Sequence, residues 1–174
     1  MPVVVLNADA DSFDAMAANR LEPEIYSLRS LHEFAAAVER YGEQRYPIHV
    51  KLDTGMHRLG FVEEELPALL DALARCGRTV RVASVFAHLC TSDEPAQDDF
   101  TRLQIARFDR MSSRIAEALP YPVLRHTANS AAIERFPEAQ YDMCRLGLGL
   151  YGFGFEHNAA LRPVSTLRTR IVQI

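Results

Sequence analysis

The segment Lys51-Leu-Asp-Thr-Gly-Met-His-Arg-Leu-Gly-Phe61 begins on a strand and ends on a loop. Leading into it, Ile48, Val50 and Leu52 alternate with His49, Lys51 and Asp53, a period of two that predicts a strand from Ile48 to Asp53. Thr54, Gly55 and Gly60 break the alternation and leave Arg58 on the loop. Lys51 and Arg58 are therefore two cations at one strand end. If both are charged they repel, so either they splay into water or a third group neutralises one of them.

Outward from this strand, helices and strands alternate. Upstream, Pro2 to Leu6 is a short, continuous apolar run, the form of a strand buried on both faces of a parallel sheet. Asp11 to Asn19 reads as a short helix and Glu24 to Ser27 as a second strand. Ser30 with Glu33 reads as a capping box, opening a helix whose Leu31, Phe34, Ala35 and Val38 share a face to about Tyr41. Downstream, Glu63 to Cys76 is a helix with Leu66, Leu69, Leu70 and Leu73 on one stripe, closed by Gly77. Val82 to Leu89 is a fourth strand. Asp98 to Leu119 is the longest helix, with acidic residues in its first turn and Phe108, Met111, Ile115 and Leu119 on one face; Pro120 and Pro122 stop it. Val123 to Ala128 is a fifth strand, Ser130 to Arg135 a short helix, and Asp142 to Leu150 a sixth strand running into Gly152 and Gly154. This alternation predicts an α/β fold with a parallel sheet, either open and doubly wound or closed as a barrel. Beyond Phe155 the pattern changes: Glu156 to Ser165 is polar, and Leu167 to Ile174 alternates as a strand with nothing after it to pair with. The chain is expected to be part of a longer one, cut at both ends.

Composition narrows the class. A chain of 174 residues, 48% hydrophobic, can bury the core of one domain. A net charge of −4 and a pI near 5.9 give no electrostatic reason for a nucleic-acid backbone or an anionic membrane as partner. Cys76, Cys90 and Cys144 are odd in number, widely spaced and without a Cys-x-x-Cys pair, which suits reduced thiols in a cytosol. The apolar opening is too short for a signal-peptide core or a membrane span. A soluble, cytoplasmic protein is expected.

Ionisable and polar residues collect at successive strand ends. His88 ends the fourth strand, with Thr91, Ser92 and Asp93 after it; His126 and Asn129-Ser130 end the fifth; Arg145 and Gly147 lie on the sixth. Parallel α/β architectures place their sites at the carboxyl ends of the strands. Singly, each residue has a plainer reading: a structural histidine, a helix N-cap at Asn129, a surface pair between Arg145 and Asp142. Gly147-Leu-Gly-Leu-Tyr-Gly152 formally matches G-x-G-x-x-G. No helix opens at these glycines and no acidic residue follows about 20 positions on, so a dinucleotide site is excluded. A phosphate site survives, because loops after the last two strands of eight-stranded barrels often hold one. Ser130 and the Gly147–Leu148 backbone would supply it, with simple turn geometry as the alternative. His88, Cys90, His126 and Cys144 match no zinc spacing, and nothing marks a thiol as an activated nucleophile, so no metal is expected.

Four segments, in this order, resemble the bacterial alanine racemase family: Lys51 to Gly60, His88 with Thr91 to Asp93, His126-Thr-Ala-Asn-Ser-Ala-Ala132, and Arg145-Leu-Gly-Leu-Gly-Leu-Tyr-Gly152. The resemblance covers nearly the whole chain. It implies a pyridoxal 5′-phosphate (PLP) enzyme that interconverts L-alanine and D-alanine for peptidoglycan, working as a homodimer. The implied fold is a TIM-like (β/α)8 barrel followed by a β-rich carboxyl-terminal domain. The six strands would be the third to eighth, so residues 1–155 would be a partial barrel of about six βα units. Residues 156–174 would be a linker and the first strand of the carboxyl-terminal domain.

By motif, Arg145 would donate to the pyridine nitrogen of PLP. An arginine keeps its proton, so the ring nitrogen would stay neutral and the cofactor would be a weaker electron sink, favouring racemisation over transamination. Ser130 and the backbone at Gly147 and Leu148 would hold the phosphate, His88 and Asn129 would line the cofactor, and Arg58 would reach its phenolic oxygen. Lys51 resembles a lysine that the family carries N-carboxylated (carbamylated), an anion that would pair with Arg58 and answer the charge problem. The sequence departs from the family in having no Lys-Ala-Asn-Ala-Tyr-Gly type motif for the PLP-bonding lysine, and no β-rich domain to give the partner subunit its catalytic tyrosine. The chain alone is expected to be inactive, with open sheet edges prone to self-association. Three other readings stand beside this one: a racemase of another amino acid, a non-catalytic PLP-binding homeostasis protein, and a barrel interaction module fused to another cell-wall enzyme domain. The tail from Leu167 and the motif from Asp53 to Gly60 favour the racemase.

Overall fold

The computed structural model describes residues 2–155, 160–166, 168–171 and 173. Five strands, β1 (Val4–Val5), β2 (Glu22–Ile25), β3 (Tyr46–Lys51), β4 (Val80–Phe86) and β5 (Leu124–His126), form one sheet in the order β1-β2-β3-β4-β5. Every neighbouring pair is parallel. Between them run α1 (Phe13–Ala18), α2 (Leu28–Arg40), α3 (Leu66–Arg75) and α4 (Asp98–Ala118), and α5 (Ser130–Arg135) follows β5. Strand order equals chain order with no reversal. A doubly wound sheet reverses at a switch point, whereas a barrel wall does not, so the sheet is an arc of a (β/α) barrel.

Strand alternation separates two faces. Ile25, Ile48, Val50, Val82 and Val85 are buried in the main core with Leu31, Phe34, Leu69, Phe108 and Ile115 of the helices. Each large side chain buried there contributes about 1.5–3 kcal/mol. The intervening residues, Glu22, Glu24, His49, Lys51, Ser84, Phe86 and His126, share the opposite face. A register shift at Ile48/His49 keeps the two faces aligned, pairing Ile48 with Val82 and His49 with Ser84. A second cluster of Leu89, Ile105, Ala128, Ala132, Phe136 and Ala139 sits under the loops that leave β4 and β5.

Several elements differ from expectation. The capping box of α2 is Ser27 with Ser30: the Ser27 hydroxyl accepts from Ser30 N–H, and Ser30 Oγ accepts from Ser27 N–H. Glu33 instead pairs with Arg29 at 2.8 Å, because the helix begins one turn earlier than the Ser-x-x-Glu spacing suggests. β1 is not buried on both faces; Val3, Val4 and Leu6 are exposed because β1 is the sheet edge. The sixth strand, 142–150, does not form. This segment makes two backbone bonds along the β5 side, Asp142 N to Arg125 O and Arg145 N to Ala128 O, and closes in a 3-10 turn, Leu148–Tyr151. The Asp142 carboxylate takes Arg125 N–H, Arg145 turns inward, and among the described residues no further strand lies beyond. The sheet therefore has five strands, not six. In the tail expected as a strand, residues 168–171 and 173 are not in one, lacking a neighbouring strand to bond, and 167, 172 and 174 lie outside the described residues. No described helix is long and apolar enough to cross a membrane.

Candidate functional site

The loop after β3 is built to present Arg58. Phe61 forms a parallel bridge with Leu52, its N–H bonding Lys51 O and its carbonyl accepting from Asp53 N–H, so residues 53–60 leave and return at one point. That closure needs a glycine at position 60: φ is +128°, and a Cβ there would lie 2.6 Å from Asp53 N and Leu52 C. Asp53 folds the loop inward by accepting from Gly55 N–H at 2.9 Å and His57 N–H at 3.1 Å. Gln104 of α4, fully buried, then ties it to the next loop. Its amide donates to Thr54 Oγ1 (3.3 Å) and His88 O (3.2 Å), and its carbonyl accepts from Cys90 N–H (3.1 Å).

The loop after β5 is fixed similarly. Asn129 caps α5, its side chain accepting from Ala132 N–H at 3.0 Å and Ser92 Oγ at 2.8 Å while donating to Leu89 O at 3.0 Å. The N-cap reading of Asn129 thus holds. Ser130 Oγ accepts from Gly147 N–H (2.9 Å) and Gly149 N–H (3.2 Å), so two backbone donors of the 147–149 turn converge on one hydroxyl oxygen.

Arg145 is held from all sides. One terminal nitrogen donates to His126 Nδ1 at 2.7 Å and His126 O at 3.4 Å, the other to Ala87 O at 2.7 Å and Thr127 O at 3.2 Å. Its Nε–H has no acceptor among the described residues. Burial lowers Arg145 to about 10, still protonated at neutral pH. The surface pair with Asp142 does not form, since Asp142 bonds Arg125 N–H.

From Arg145 a line of hydrogen bonds crosses the inner face of the sheet. His126 Nε2 meets Ser84 Oγ at 3.0 Å, Ser84 Oγ meets His49 Nδ1 at 2.6 Å, and His49 Nε2 meets Glu22 at 2.7 Å. Arginine only donates, and this sets the direction. His126 Nδ1 must accept, so its Nε2 carries the proton toward Ser84; the Ser84 hydroxyl then donates to His49, and His49 Nε2–H to the Glu22 carboxylate. Burial, and then the Arg145 charge, push His126 down to about 3, so it is a neutral acceptor. Its ring stacks on Phe86 at 5.0 Å.

Lys51 is buried on the same face, its amine 3.3 Å from Glu24 Oε1 and 4.8 Å from the centre of the Phe86 ring. Burial lowers its pKa, Glu24 opposes this, and Arg145 and Arg58 add to the lowering. Arg58 is exposed and makes no hydrogen bond or ion pair among the described residues; the structure does not pair it with Lys51. His88, half-buried, is pushed down to about 4 by burial and then by Arg145, Lys51 and Arg58.

These groups share one cavity of about 520 Å³, whose lining includes Lys51, Arg58, His88, Asn129, Ser130, Arg145, Gly147 and Leu148. The site residues expected from sequence are thus brought together. Those not anticipated are Glu22, Glu24, His49, Ser84 and Phe86; His126 is noted at a strand end and in a motif, without a role at the site. A signal existed, since Glu22 and Glu24 share a face two residues apart in a strand otherwise made of Pro23 and Ile25. With a buried arginine, a buried lysine and a second arginine around it, the cavity suits an anionic, partly aromatic small molecule.

Comparison with known proteins agrees with this geometry. An alanine racemase of Symbiobacterium thermophilum is 41% identical over 128 residues, covering 71% of this chain and 33% of that protein. One of Nitratidesulfovibrio vulgaris is 40% identical over 151 residues, covering 86% and 40%. The solved alanine racemase of Streptomyces coelicolor A3(2) superposes with a TM-score of 0.85 at 25% identity, over 94% of this chain and 45% of that one. The chain spans between a third and a half of the length of the curated relatives it matches. Residues 1–154 match the family described as alanine racemase, N-terminal domain, and the chain belongs to that family.

Proposed function

We propose that the cavity binds PLP and that the protein uses it to interconvert L-alanine and D-alanine, the supply of D-alanine for peptidoglycan. The observation that carries this reading is Arg145. Four hydrogen bonds from its terminal nitrogens fix the guanidinium plane, and the one remaining donor, Nε–H, is left for a ligand of the cavity. A pyridine nitrogen is an acceptor suited to that donor, and an arginine does not surrender its proton to it.

The other residues fit the rest of the cofactor. Ser130, Gly147 and Leu148 line one end of the cavity and are the groups for the phosphate oxygens; the Gly147 N–H, which donates to Ser130 Oγ, would turn to a phosphate oxygen on binding. Arg58, exposed and unpaired among the described residues, is the group for the phenolic oxygen. His88 and Asn129 shape the wall between them, and His88, neutral at physiological pH, adds no charge. PLP supplies electron withdrawal from the α-carbon of a bound amino acid, so that its α-proton becomes acidic. This chain's residues orient the ring and keep its nitrogen unprotonated; Lys51 and Arg58 set the charge around it.

We further read residues 1–155 as the cofactor-binding part of the barrel and 156–174 as a linker toward a β-rich domain, within a homodimer. The exposed apolar run Leu146, Leu148, Leu150, Tyr151 and Phe153 near the cavity supports a surface completed by another domain or subunit. The test is D-alanine formation from L-alanine by the protein that carries this chain, supplied with PLP. Turnover lost in Arg145→Ala and Ser130→Ala is expected; absence of turnover in the unsubstituted protein, or turnover indifferent to both changes, would refute the assignment.

A further inference from the structure

The line of hydrogen bonds that starts at Arg145 ends on a residue that does not line the cavity. Glu22 stands at the start of β2, its Oε2 2.7 Å from His49 Nε2, and among the described residues it pairs with no other cationic side chain. Strand register accounts for the path. His49 lies opposite both Glu24 and Ser84, and His126 lies opposite Phe86, so Glu22 sits two residues below the level of His49 and His126 two residues above that of Ser84. Each step crosses one strand, and the line climbs from the amino end of β2 to the carboxyl end of β5. Ser84 is fully buried and His126 is 4% exposed, so water does not replace a bond lost between them. The next carboxylate on the same face, Glu24, is taken up by Asn7 N–H and the Lys51 amine and does not stand in for Glu22.

Both ends of this line are fixed in sense, and its middle is not. A guanidinium only donates and a carboxylate only accepts, whereas each imidazole has two neutral tautomers and a serine hydroxyl turns. With Glu22 accepting, the His49 proton sits on Nε2, His49 Nδ1 accepts the Ser84 hydroxyl, and Ser84 Oγ accepts from His126 Nε2–H. His126 Nδ1 is then bare to accept from Arg145. Without the Glu22 acceptor, His49 can carry its proton on Nδ1 instead. That N–H points at Ser84 Oγ, the Ser84 hydroxyl turns to His126 Nε2, and the His126 proton moves to Nδ1, donor against donor with the guanidinium. No proton is gained or lost between the two arrangements.

We infer that Glu22 is a positioning residue for Arg145: by accepting at the far end, it holds the His49–Ser84–His126 line in the one sense that leaves His126 Nδ1 free for the guanidinium. Arg145 opposes the reversed sense too, but only by straining the bond on which its own orientation depends. In the reversed sense one terminal nitrogen keeps Ala87 O and Thr127 O, while the other keeps only the 3.4 Å contact with His126 O. The guanidinium plane can then tilt, and its Nε–H no longer points one way.

Two readouts test this, the first without cofactor. The 15N-labelled chain is observed by NMR at the ring nitrogens of His49 and His126 and at the Arg145 guanidinium. Both rings are expected to be protonated on Nε2, with separately resolved Arg145 terminal N–H signals, in the unsubstituted chain and in Glu22→Gln, whose amide oxygen still accepts. In Glu22→Leu, checked for folding by circular dichroism, His126 is expected to populate its Nδ1–H tautomer and the Arg145 signals to merge. A folded Glu22→Leu chain with the tautomer and signals of the unsubstituted chain would overturn the inference, whatever the ligand. Should Glu22→Leu not fold, Glu22→Ala is read the same way. The second readout is PLP affinity, and this part rests on the PLP reading. Glu22→Leu and Ser84→Ala are each expected to weaken binding roughly fivefold, and the double substitution no more than either alone, because both break the same line. The Glu22→Leu loss should vanish in an Arg145→Ala background. Losses that multiply in the double variant, or a Glu22→Leu loss that persists without Arg145, would make Glu22 a packing residue and overturn the inference. If the unsubstituted chain does not bind PLP, the PLP reading fails, and the ring tautomers still decide the role of Glu22.

Discussion

Arg145 and His126 share a proton arrangement that only works one way, and pH reports it. His126 and His88, at about 3 and about 4 in the folded chain, lie below the ordinary 6.5. Between those values and 6.5 the unfolded chain binds more protons than the folded one, so stability rises with pH across this window and is lost as pH falls from about 6.5 toward 3. Each histidine adds at most one proton, about 1.4 kcal/mol per pH unit, to that slope. Denaturant unfolding at pH 7, 5.5 and 4.5 should therefore give a shallower decline for His126→Asn than for the unsubstituted chain; equal slopes would remove His126 from the account. A second residue-scale prediction is Gly60→Ala. The added Cβ meets the Leu52–Asp53 backbone at 2.6 Å and the φ of +128° disfavours any side chain, so a loss of several degrees in Tm is expected.

At the scale of elements, α4 organises the site from behind. Gln104 joins the loops after β3 and β4, and Gln104→Leu leaves the Cys90 N–H and the Thr54 hydroxyl without it. A cost of about 1–3 kcal/mol is expected for such an orphaned buried group. Faster amide exchange should appear at residues 53–60 and 88–92 while β3 and β4 stay protected; uniform protection across both loops would contradict the assignment. The elements were largely legible in the sequence because their signals are local: the leucine stripe of α3, the proline stop after α4 and the span Ser130–Arg135 all fall where periodicity and breakers put them. The sixth strand was not legible. The residues from Asp142 to Leu150 carry strand-like side chains, but a strand exists only where backbone partners do, and that information is not local. The start of α2 shows the same limit on a smaller scale, with Ser27 and Ser30 both competent caps three residues apart.

For the whole molecule, sequential strand order converts a list of polar strand ends into one cavity. The positions of Lys51, His88, Asn129 and Ser130 could be named from sequence because they end or follow a strand, and Arg145 because it stands in the segment read as the sixth. The chain from Glu22 to Arg145 could not, since its members lie on four different strands and in the 142–150 segment and meet only through register. It also corrects the opening puzzle: the neighbour that meets the Lys51 charge is Glu24 on β2, one strand over, not a group on its own loop. The central claim is that this cavity is a PLP site oriented by Arg145 and closed at the phosphate end by Ser130. Its most direct measurement is a titration of the chain with PLP, followed by cofactor absorbance and 31P NMR, on the unsubstituted chain, Arg145→Ala and Ser130→Ala. Saturable one-to-one binding, weakened at least about tenfold in each variant, roughly 1.4 kcal/mol, is the predicted result. Binding of equal strength in all three would contradict it.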